Sequence, residues 1–465
     1  MKRNIYLIFL VCILIAPNAR SQSDSSQVFI QGTDNQPAIY GFVRAGMYGS
    51  IDNTDNKPYV SSAFSDLCLR AEKGNGSSYK LYADLRFRYG ADFLKPVTEF
   101  DLREAYLRIN GKRWDMTAGQ QIIKWGVTDF TNPVSRLNPQ NPIVRSPDPE
   151  DMDMGDLILD ARWYPVPFLT FEVAAVPFYR SSVLLIDPLP LPDYVTIKNI
   201  TSLQTDKKMY SYGTRVSLNG GFADISLSWF DGYNPMPGTK LSKFELDLSG
   251  PVPVPAMELT LTPYRIRNIG FDFETTAGMS GIRGEATLTI PYESAETYEY
   301  IPFREINWVA GFDRSFGDWQ IIGEYSGKAI PGFTPSTVDP VIGTDQDMAE
   351  LAFLMAYPSL DVEGYVRKQV AAFNRLYNYQ LKQYYHSAGL KVERDFLYGK
   401  LKASMFTLYN FTSRDLLFRP ELTVNPADPV TLNAGLDLFS GKKGSLYDIT
   451  DEFLSCVRFS VKIDF

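Results

Sequence analysis

The last ten residues alternate without a break. Val457, Phe459, Val461, Ile463 and Phe465 share one side of an extended chain, and Cys456, Arg458, Ser460, Lys462 and Asp464 share the other. Successive side chains of a strand point to opposite faces, so the segment predicts a strand with one apolar and one polar face. The pattern recurs upstream. Tyr79, Leu81, Ala83, Leu85, Phe87 and Tyr89 oppose Lys80, Tyr82, Asp84, Arg86 and Arg88; Leu157, Leu159, Ala161 and Trp163 oppose Ile158, Asp160, Arg162 and Tyr164. Ala223, Ile225, Leu227 and Trp229 oppose Asp224, Ser226 and Ser228, and Ile282, Gly284, Ala286, Leu288 and Ile290 oppose Arg283, Glu285, Thr287 and Thr289. One such segment would suit a soluble sandwich equally well; its repetition along the whole chain points to an all-β architecture.

The links between these segments alternate in length. Short ones fall at 73–77, 110–113, 165–167, 219–221, 278–281, 316–318, 357–359, 394–395 and 425–429, most of them rich in Gly, Pro, Asn and Asp. Mostly longer ones lie between, at 51–60, 122–154, 179–207, 232–255, 292–303, 329–346, 372–381 and 441–451. A short–long rhythm is that of a transmembrane antiparallel β-barrel with periplasmic turns and extracellular loops. Counting gives about 18–20 strands, within a range of about 16–20, with 256–276 read as one strand broken at Pro263 or as two.

The N-terminus predicts export. Lys2 and Arg3, an apolar run from Ile5 to Ala16, and small residues up to Ser21 describe a secretory signal peptide, 1–21, cleaved after Ser21. The run is too short to span a bilayer, and mean hydropathy is −0.17 with no later apolar run, so helical spans are not expected. Residues 22–38 form a polar periplasmic arm, too short for a plug domain, and 39–465 form the barrel. The expected location is the outer membrane of a Gram-negative bacterium, with outer-membrane lipid as the surrounding partner. The 28 Tyr and 30 Phe suit the aromatic girdles of such a barrel.

Removing the signal takes three positive charges from a net −8, leaving −11. No basic footprint for nucleic acid is present. Cys68 and Cys456 survive processing. In a closed barrel the last strand pairs with the first and Cys68 sits on the second, so a bridge would have to jump about 10 Å. Both are expected as free, lumen-facing thiols. The single His386 shares the apolar parity of Tyr384, Ala388, Leu390 and Val392, with no nucleophile or orienting group nearby. No catalytic residue, no cofactor and no metal site is expected. The acidic run Asp148, Glu150, Asp151, Asp153, Asp156 lacks the spacing and turn glycine of a calcium loop and reads as a solvated acidic stretch.

The polar faces carry charge pairs: Arg70 with Glu72, Asp84 with Arg86 and Arg88, Glu104 with Arg108, Asp160 with Arg162, Arg283 with Glu285, and Arg458 with Lys462. Any one pair could merely stiffen and solvate the lumen. As an ensemble they predict a polar passage, because a barrel of this size encloses more than side chains fill. The link 122–154 is long for a tether and contains Gly126, Pro133, Pro139 and Pro142, which do not suit a central strand. Two readings stand: an ordinary extracellular loop, or a segment folded into the lumen that narrows it through Gln121, Lys124, Trp125, Asn132 and Asn138.

The run Asp101-Leu102-Arg103-Glu104-Ala105-Tyr106, Gly119-Gln120-Gln121, Trp125-Gly126 and the Asn-Pro steps at 132, 138 and 141 resembles a group of porin-like outer-membrane barrels, loosely akin to alginate-export and substrate-selective porins. The resemblance is clearest over 99–142, and Gln120 stands where the pattern usually has Arg. The terminal Phe465 resembles the signal read by the barrel-assembly machinery. Together these imply a channel for passive, partly selective passage of small polar or charged solutes. An export or assembly barrel working with periplasmic partners, for polysaccharide for instance, and a closed structural barrel are the alternatives; substrate and oligomeric state are not legible.

Overall fold

In the computed structural model, which describes residues 37–51, 57–75, 77–184, 194–198, 203–204, 209–247, 254–340, 349, 352–355 and 361–465, eighteen strands form one antiparallel sheet. They are β1 (Ala38–Ile51), β2 (Pro58–Gly74), β3 (Tyr79–Asp92), β4 (Lys95–Asn110), β5 (Trp114–Gln121), β6 (Asp156–Val166), β7 (Leu169–Val176), β8 (Ser211–Asn219) and β9 (Ala223–Tyr233). The second half supplies β10 (Arg265–Ala277), β11 (Ser280–Pro291), β12 (Glu305–Phe316), β13 (Trp319–Ala329), β14 (Tyr384–Phe396), β15 (Leu401–Asn410), β16 (Asp415–Ala427), β17 (Val430–Ser440) and β18 (Cys456–Asp464). Each pairs with its sequence neighbours. β18 returns to β1 from Phe42–Asp464 to Gly49–Val457, and the Gly41 and Phe465 backbones exchange two hydrogen bonds of 2.9 Å at the seam. The result is a closed up-and-down barrel with no open edge, inside the expected strand range. The expected signal peptide and most of the arm lie outside the described residues; Ala38, assigned to the arm, already opens β1.

The alternation fixes which face turns outward. On β18, Val457 is 62% exposed and Arg458 3%. The same inversion holds for Leu157 and Leu159 against Asp160, for Ile225 and Leu227 against Ser226 and Ser228, and for Ile282 and Ile290 against Glu285 and Thr289. Apolar side chains stand outside and polar ones are enclosed, the reverse of a soluble core and the arrangement of a membrane barrel. His386 follows its expected outward parity: its Nδ1 lies 2.6 Å from the Tyr325 hydroxyl, beside the Trp308 ring. Cys68 and Cys456 are both free and buried on the enclosed face, one on either neighbour of β1, as the strand order requires.

Short links gather at one rim, at 75–78, 111–113, 167–168, 220–222, 278–279, 317–318, 397–400 and 428–429. The strand ends joined through 122–155, 177–210, 234–264, 292–304, 330–383 and 441–455 lie at the opposite rim, together with the tight links 93–94 and 411–414. The fuller count of about twenty strands fails in one place. The spacing of links after 346 implied a strand on each side of the turn expected at 357–359, and that turn lies outside the described residues. The second of those segments belongs instead to helix α1 (Val362–Tyr377). Asp361 caps it by accepting from Gly364 N at 2.8 Å, and Val362, Val366 and Val370 line one face at a spacing of four. β-Branched residues favour strands locally; here the helical spacing and the cap decide.

α1 is buried against a second, smaller sheet on the long-loop rim. Gly238–Asp247 pairs antiparallel with Val254–Thr262, which pairs parallel with Val195–Lys198. Leu241, Met257 and Leu259 meet the three valines of α1 in a separate apolar core. Asn374 joins helix to sheet, accepting from Thr239 N at 2.9 Å and donating to Thr239 O at 2.7 Å. The 256–276 segment is therefore two strands, one in this cap and one in the barrel, divided at Pro263 and Tyr264. A second helix, α2 (Leu446–Leu454), lies in the last long link. No helix among the described residues is long and apolar enough to cross a membrane.

Candidate functional site: a loop across the lumen

Loop 122–155 leaves β5 and returns to β6, but between them it reaches walls far apart on the barrel. Trp125, 2% exposed, donates its indole N–H to Glu172 Oε1 of β7 at 2.9 Å. Two carboxylates from β11 and β13 then take up the backbone of the next turn. Glu285 Oε1 accepts from Val127 N at 2.7 Å, Thr128 N at 2.9 Å and Thr128 Oγ1 at 2.7 Å, and Oε2 accepts from Val134 N at 3.3 Å. Glu324 accepts from Asp129 N, from Phe130 N at 3.0 Å and from Thr131 N at 3.2 Å. A loop drawn away from water must find partners for its amides, and these acids supply them. Gly126 makes the close approach possible: it sits at φ +89°, and a Cβ there would collide with Glu285 Oε1 and the Asn132 side chain. Phe130 packs against Phe406 of β15 with ring centroids 4.9 Å apart.

The second half of the loop is held by the opposite wall. Asp151 receives Arg44 of β1 at 2.7 Å and Arg86 of β3 at 2.8 Å. Burial pushes the Asp151 carboxyl up, but the two guanidiniums and the Ser146 hydroxyl outweigh it and hold the group well below the usual carboxylate range. Arg103 of β4 donates to Glu150 O, and Arg88 Nη2 donates to Arg145 O at 3.1 Å. Arg145 in turn lies 3.0 Å from Cys456 Sγ on β18. Asp148 caps a single 3-10 turn, Pro149–Met152, and Asp153 pairs with Lys124 at 2.6 Å. Of the acidic run expected to be a solvated stretch, Asp148 and Glu150 are exposed, while Asp151 is bound to the wall and Asp153 to the loop's own Lys124.

The expected constriction residues divide by role. Trp125 bridges to the wall. Gln121 Nε2 donates to Ile158 O at 2.9 Å and secures the base of the loop. Asn132 Nδ2 donates to Trp125 O at 2.7 Å while its Oδ1 accepts from Ser135 N at 2.9 Å. Asn138 Oδ1 accepts from Ile123 N at 2.7 Å, and its Nδ2 donates to Gln121 O at 2.8 Å and Met154 O at 3.1 Å. Both asparagines shape the loop from within. Lys124 alone of the five is half exposed.

The expected charge pairs are enclosed but partly re-matched. Asp84 does pair with Arg86, at 3.0 Å, and Asp160 with Arg162, at 3.2 Å. Arg70 pairs with Asp84 at 3.1 Å and not with Glu72, whose partner is Lys80 at 3.1 Å. Arg88 pairs with Asp66 at 2.7 Å and not with Asp84. Glu104 accepts from Ile122 N at 3.0 Å, and Arg108 donates to Thr117 Oγ1 at 3.0 Å, so those two are apart. Arg283 meets Asp129 at 3.1 Å and also Asp313, leaving Glu285 to the loop. Arg458 lies between Glu421 at 2.5 Å and Asp437 at 3.1 Å, while Lys462 takes Asp464 at 2.9 Å. Like-facing neighbours on one strand stand about 6–7 Å apart, and directly paired residues on adjacent strands about 4.5–5.5 Å, so cross-strand partners usually win. Sequence reasoning missed Arg44, Asp66, Glu172 and Glu324; the available signal was an acid or Arg on the enclosed parity of an otherwise small or apolar strand.

Open space remains on both sides of the bound loop. A cavity of about 310 Å³ borders Arg44, Arg86, Arg88, Arg103, Asp66 and Asp151. Another, of about 320 Å³, reaches the short-turn rim past Arg44, Arg70, Pro147, Asp148 and Lys462. Arg44 touches both.

No known sequence family and no curated protein matches the chain. Solved structures do. OccK8 (OprE) of Pseudomonas aeruginosa superposes with a TM-score of 0.52 at 9% identity, over 92% of this chain and 98% of that one. The outer membrane protein opdK of the same organism gives 0.50 at 9% identity, over 92% and 98%. OccK2 (OpdF) of Pseudomonas aeruginosa, solved in complex with glucuronate, gives 0.50 at 10% identity, over 92% and 97%. At such identity the likeness is one of fold, and it agrees with the porin-like barrel expected from the sequence.

Proposed function

We propose that this chain is an outer-membrane channel through which small polar or charged solutes pass passively and with partial selectivity, and that loop 122–155 is its constriction. The observation that carries the reading is the span of the loop: Glu285 and Glu324 hold one half, Arg44 and Arg86 the other, and cavities remain above and below the second half. In this reading the long-loop rim faces outward from the cell and the short-turn rim faces the periplasm. A solute would move along the wall of β1 to β4, past Arg70, Arg86 and Arg88 and their paired acids. Rings of such charge set which ions enter a wet pore.

The same reading takes residues 1–21 as the export signal and Phe465 as the residue presented to the barrel-assembly machinery. No enzymatic role is proposed. The test is conductance of the purified, folded protein in planar bilayers. Steady single-channel steps with unequal cation and anion permeability are expected; a silent bilayer would overturn the channel reading and leave a closed structural barrel.

A further inference from the structure

We infer that the outer mouth holds a subsite for an uncharged, polyhydroxylated ligand, a neutral sugar. The site is a cavity of about 430 Å³ under the long-loop rim, separate from the two beside Arg44. Its floor is loop residues 131–136, its wall the upper ends of β12 to β16, and its roof the end of α1 and Tyr447 of α2. The volume is within the roughly 300–1,000 Å³ of small-molecule sites.

Two residues that border this cavity each carry a buried polar atom with no partner among the described residues: Asp415, whose Oδ2 is an acceptor, and Arg136, whose Nε is a donor. Asp415 is 1% exposed and its other oxygen accepts from Tyr447 N at 3.3 Å. Enclosed polar atoms are costly unless bonded, so the pair asks for a group that donates at one end and accepts at the other. A hydroxyl does both. Tyr385 adds an aromatic body; its hydroxyl is already taken by Leu381 N at 3.0 Å and Lys382 N at 3.2 Å. An apolar ring beside mixed donors and acceptors suits the two kinds of surface a pyranose presents.

Charge argues for neutrality. Two cations, Arg136 and Lys328, and two acids, Glu305 and Asp415, border the cavity. Glu305 lies 2.8 Å from Lys328 and 4.0 Å from Arg136. A carboxylate approaching Arg136 would meet Glu305 at the same guanidinium, and an ammonium approaching Asp415 would enter a space that already holds two cations. An uncharged ligand pays neither penalty.

This inference rests on the channel reading only for placing the site on a solute's path; binding itself is measured without conduction. The full chain in detergent micelles is titrated with glucose, glucuronate and glycine by calorimetry or saturation-transfer NMR, with folding checked by heat-modifiable gel mobility. Saturable glucose binding is expected, tighter than that of either charged probe, and weakened at least about tenfold, or 1.4 kcal/mol, in Asp415→Leu and in Arg136→Met. If one variant fails to fold, the other decides. Absence of glucose binding, preference for glucuronate or glycine, or binding unchanged in the folded variants would each overturn the sugar subsite. A silent bilayer with intact glucose binding would instead overturn the channel reading alone.

Discussion

The indole N–H of Trp125 donates to Glu172 Oε1 at 2.9 Å, two strands along the wall from the β5 end that the loop leaves, and Arg162 holds the same carboxylate oxygen at 3.2 Å. The loop is thereby tied to a wall charge that already has a partner. Trp125 also packs under Gly213, where a Cβ would press on the ring. Trp125→Ala removes both ties and leaves a hole of the kind that costs about 3–5 kcal/mol in a packed interior. The barrel should still assemble, because its strand pairing does not involve the indole. Single-channel conductance should rise and current noise increase. Trp125→Phe should fall between, since the ring stays and Glu172 keeps Arg162.

The two faces give a sharper test of the fold. Leu85 shares the outward parity of Leu81 and Phe87, which are 45% and 40% exposed, whereas Arg86 is enclosed with Asp84 and Asp151. An Arg on the lipid face at mid-membrane costs roughly 2–4 kcal/mol. Leu85→Arg should therefore lower folding yield into lipid vesicles. Arg86→Leu should fold with near-normal yield, because Asp84 keeps Arg70 and Asp151 keeps Arg44. Equal losses in the two variants would mean the faces are assigned the wrong way round.

The barrel was legible because its signal is local and repeats: period-two alternation places each side chain, and the rhythm of links orders the strands. Cys68 and Cys456 follow from strand order alone. The site was less legible because its contacts join distant segments. Nothing near Glu324 in the sequence says that its carboxylate will meet Asp129, Phe130 and Thr131, almost two hundred residues earlier. Apart from Asp84–Arg86 and Asp160–Arg162, the charge pairs were misread for the same reason: spacing within a strand shows which side chains share a face, while register, which sequence alone left open, shows which of them touch. α1 was misread where valines favour a strand locally and their spacing of four favours a helix once the small sheet is there to bury them.

Asp151 predicts how the proposed constriction responds to pH. Its folded value is lowered by Arg44 and Arg86, so the contact contributes fully above the ordinary carboxylate value of about 3.9 and is lost only as pH falls through the lower folded value. Titrating this one group should leave the loop seated from neutral pH down to about pH 4. Asp151→Asn removes the charge at every pH, frees parts of Arg44 and Arg86, and should shift reversal potentials toward anions. An unchanged reversal potential in a salt gradient would show that solutes do not pass these two arginines.

The seam makes Phe465 a test of assembly. Its backbone closes the barrel against Gly41, and its side chain, 55% exposed, continues the apolar row of Val457 and Phe459. Phe465→Asp keeps the backbone bonds available but places a charge at the membrane boundary and alters the terminal aromatic. Outer-membrane yield, measured by cell fractionation, should fall sharply. Material that does insert should have near-normal conductance, because the side chain shares the outward parity of Val457 and Phe459. Unchanged yield would remove the proposed role of Phe465 in assembly.

The most direct test of the constriction leaves the loop's own sequence intact. Glu285 and Glu324 are enclosed, 3% and 6% exposed, and together they accept from the backbone of Val127 through Thr131 and of Val134. A carboxylate accepting several amides binds more strongly than a neutral acceptor, with each charge-assisted bond roughly twice as strong. Glu285→Gln with Glu324→Gln keeps the shape but replaces one acceptor oxygen at each site with a donor that repels the loop's N–H groups. Released from that wall, the first half of the loop should swing away while Asp151 still holds the second. Conductance should rise at least about twofold and selectivity between ions should weaken, as for a pore that has lost part of its narrowest charged ring. Heat-modifiable mobility should remain that of a folded barrel, since the ladder bonds of β11 and β13 are untouched. Folded protein with wild-type conductance and selectivity would show that the loop, although bound inside the barrel, does not limit what passes.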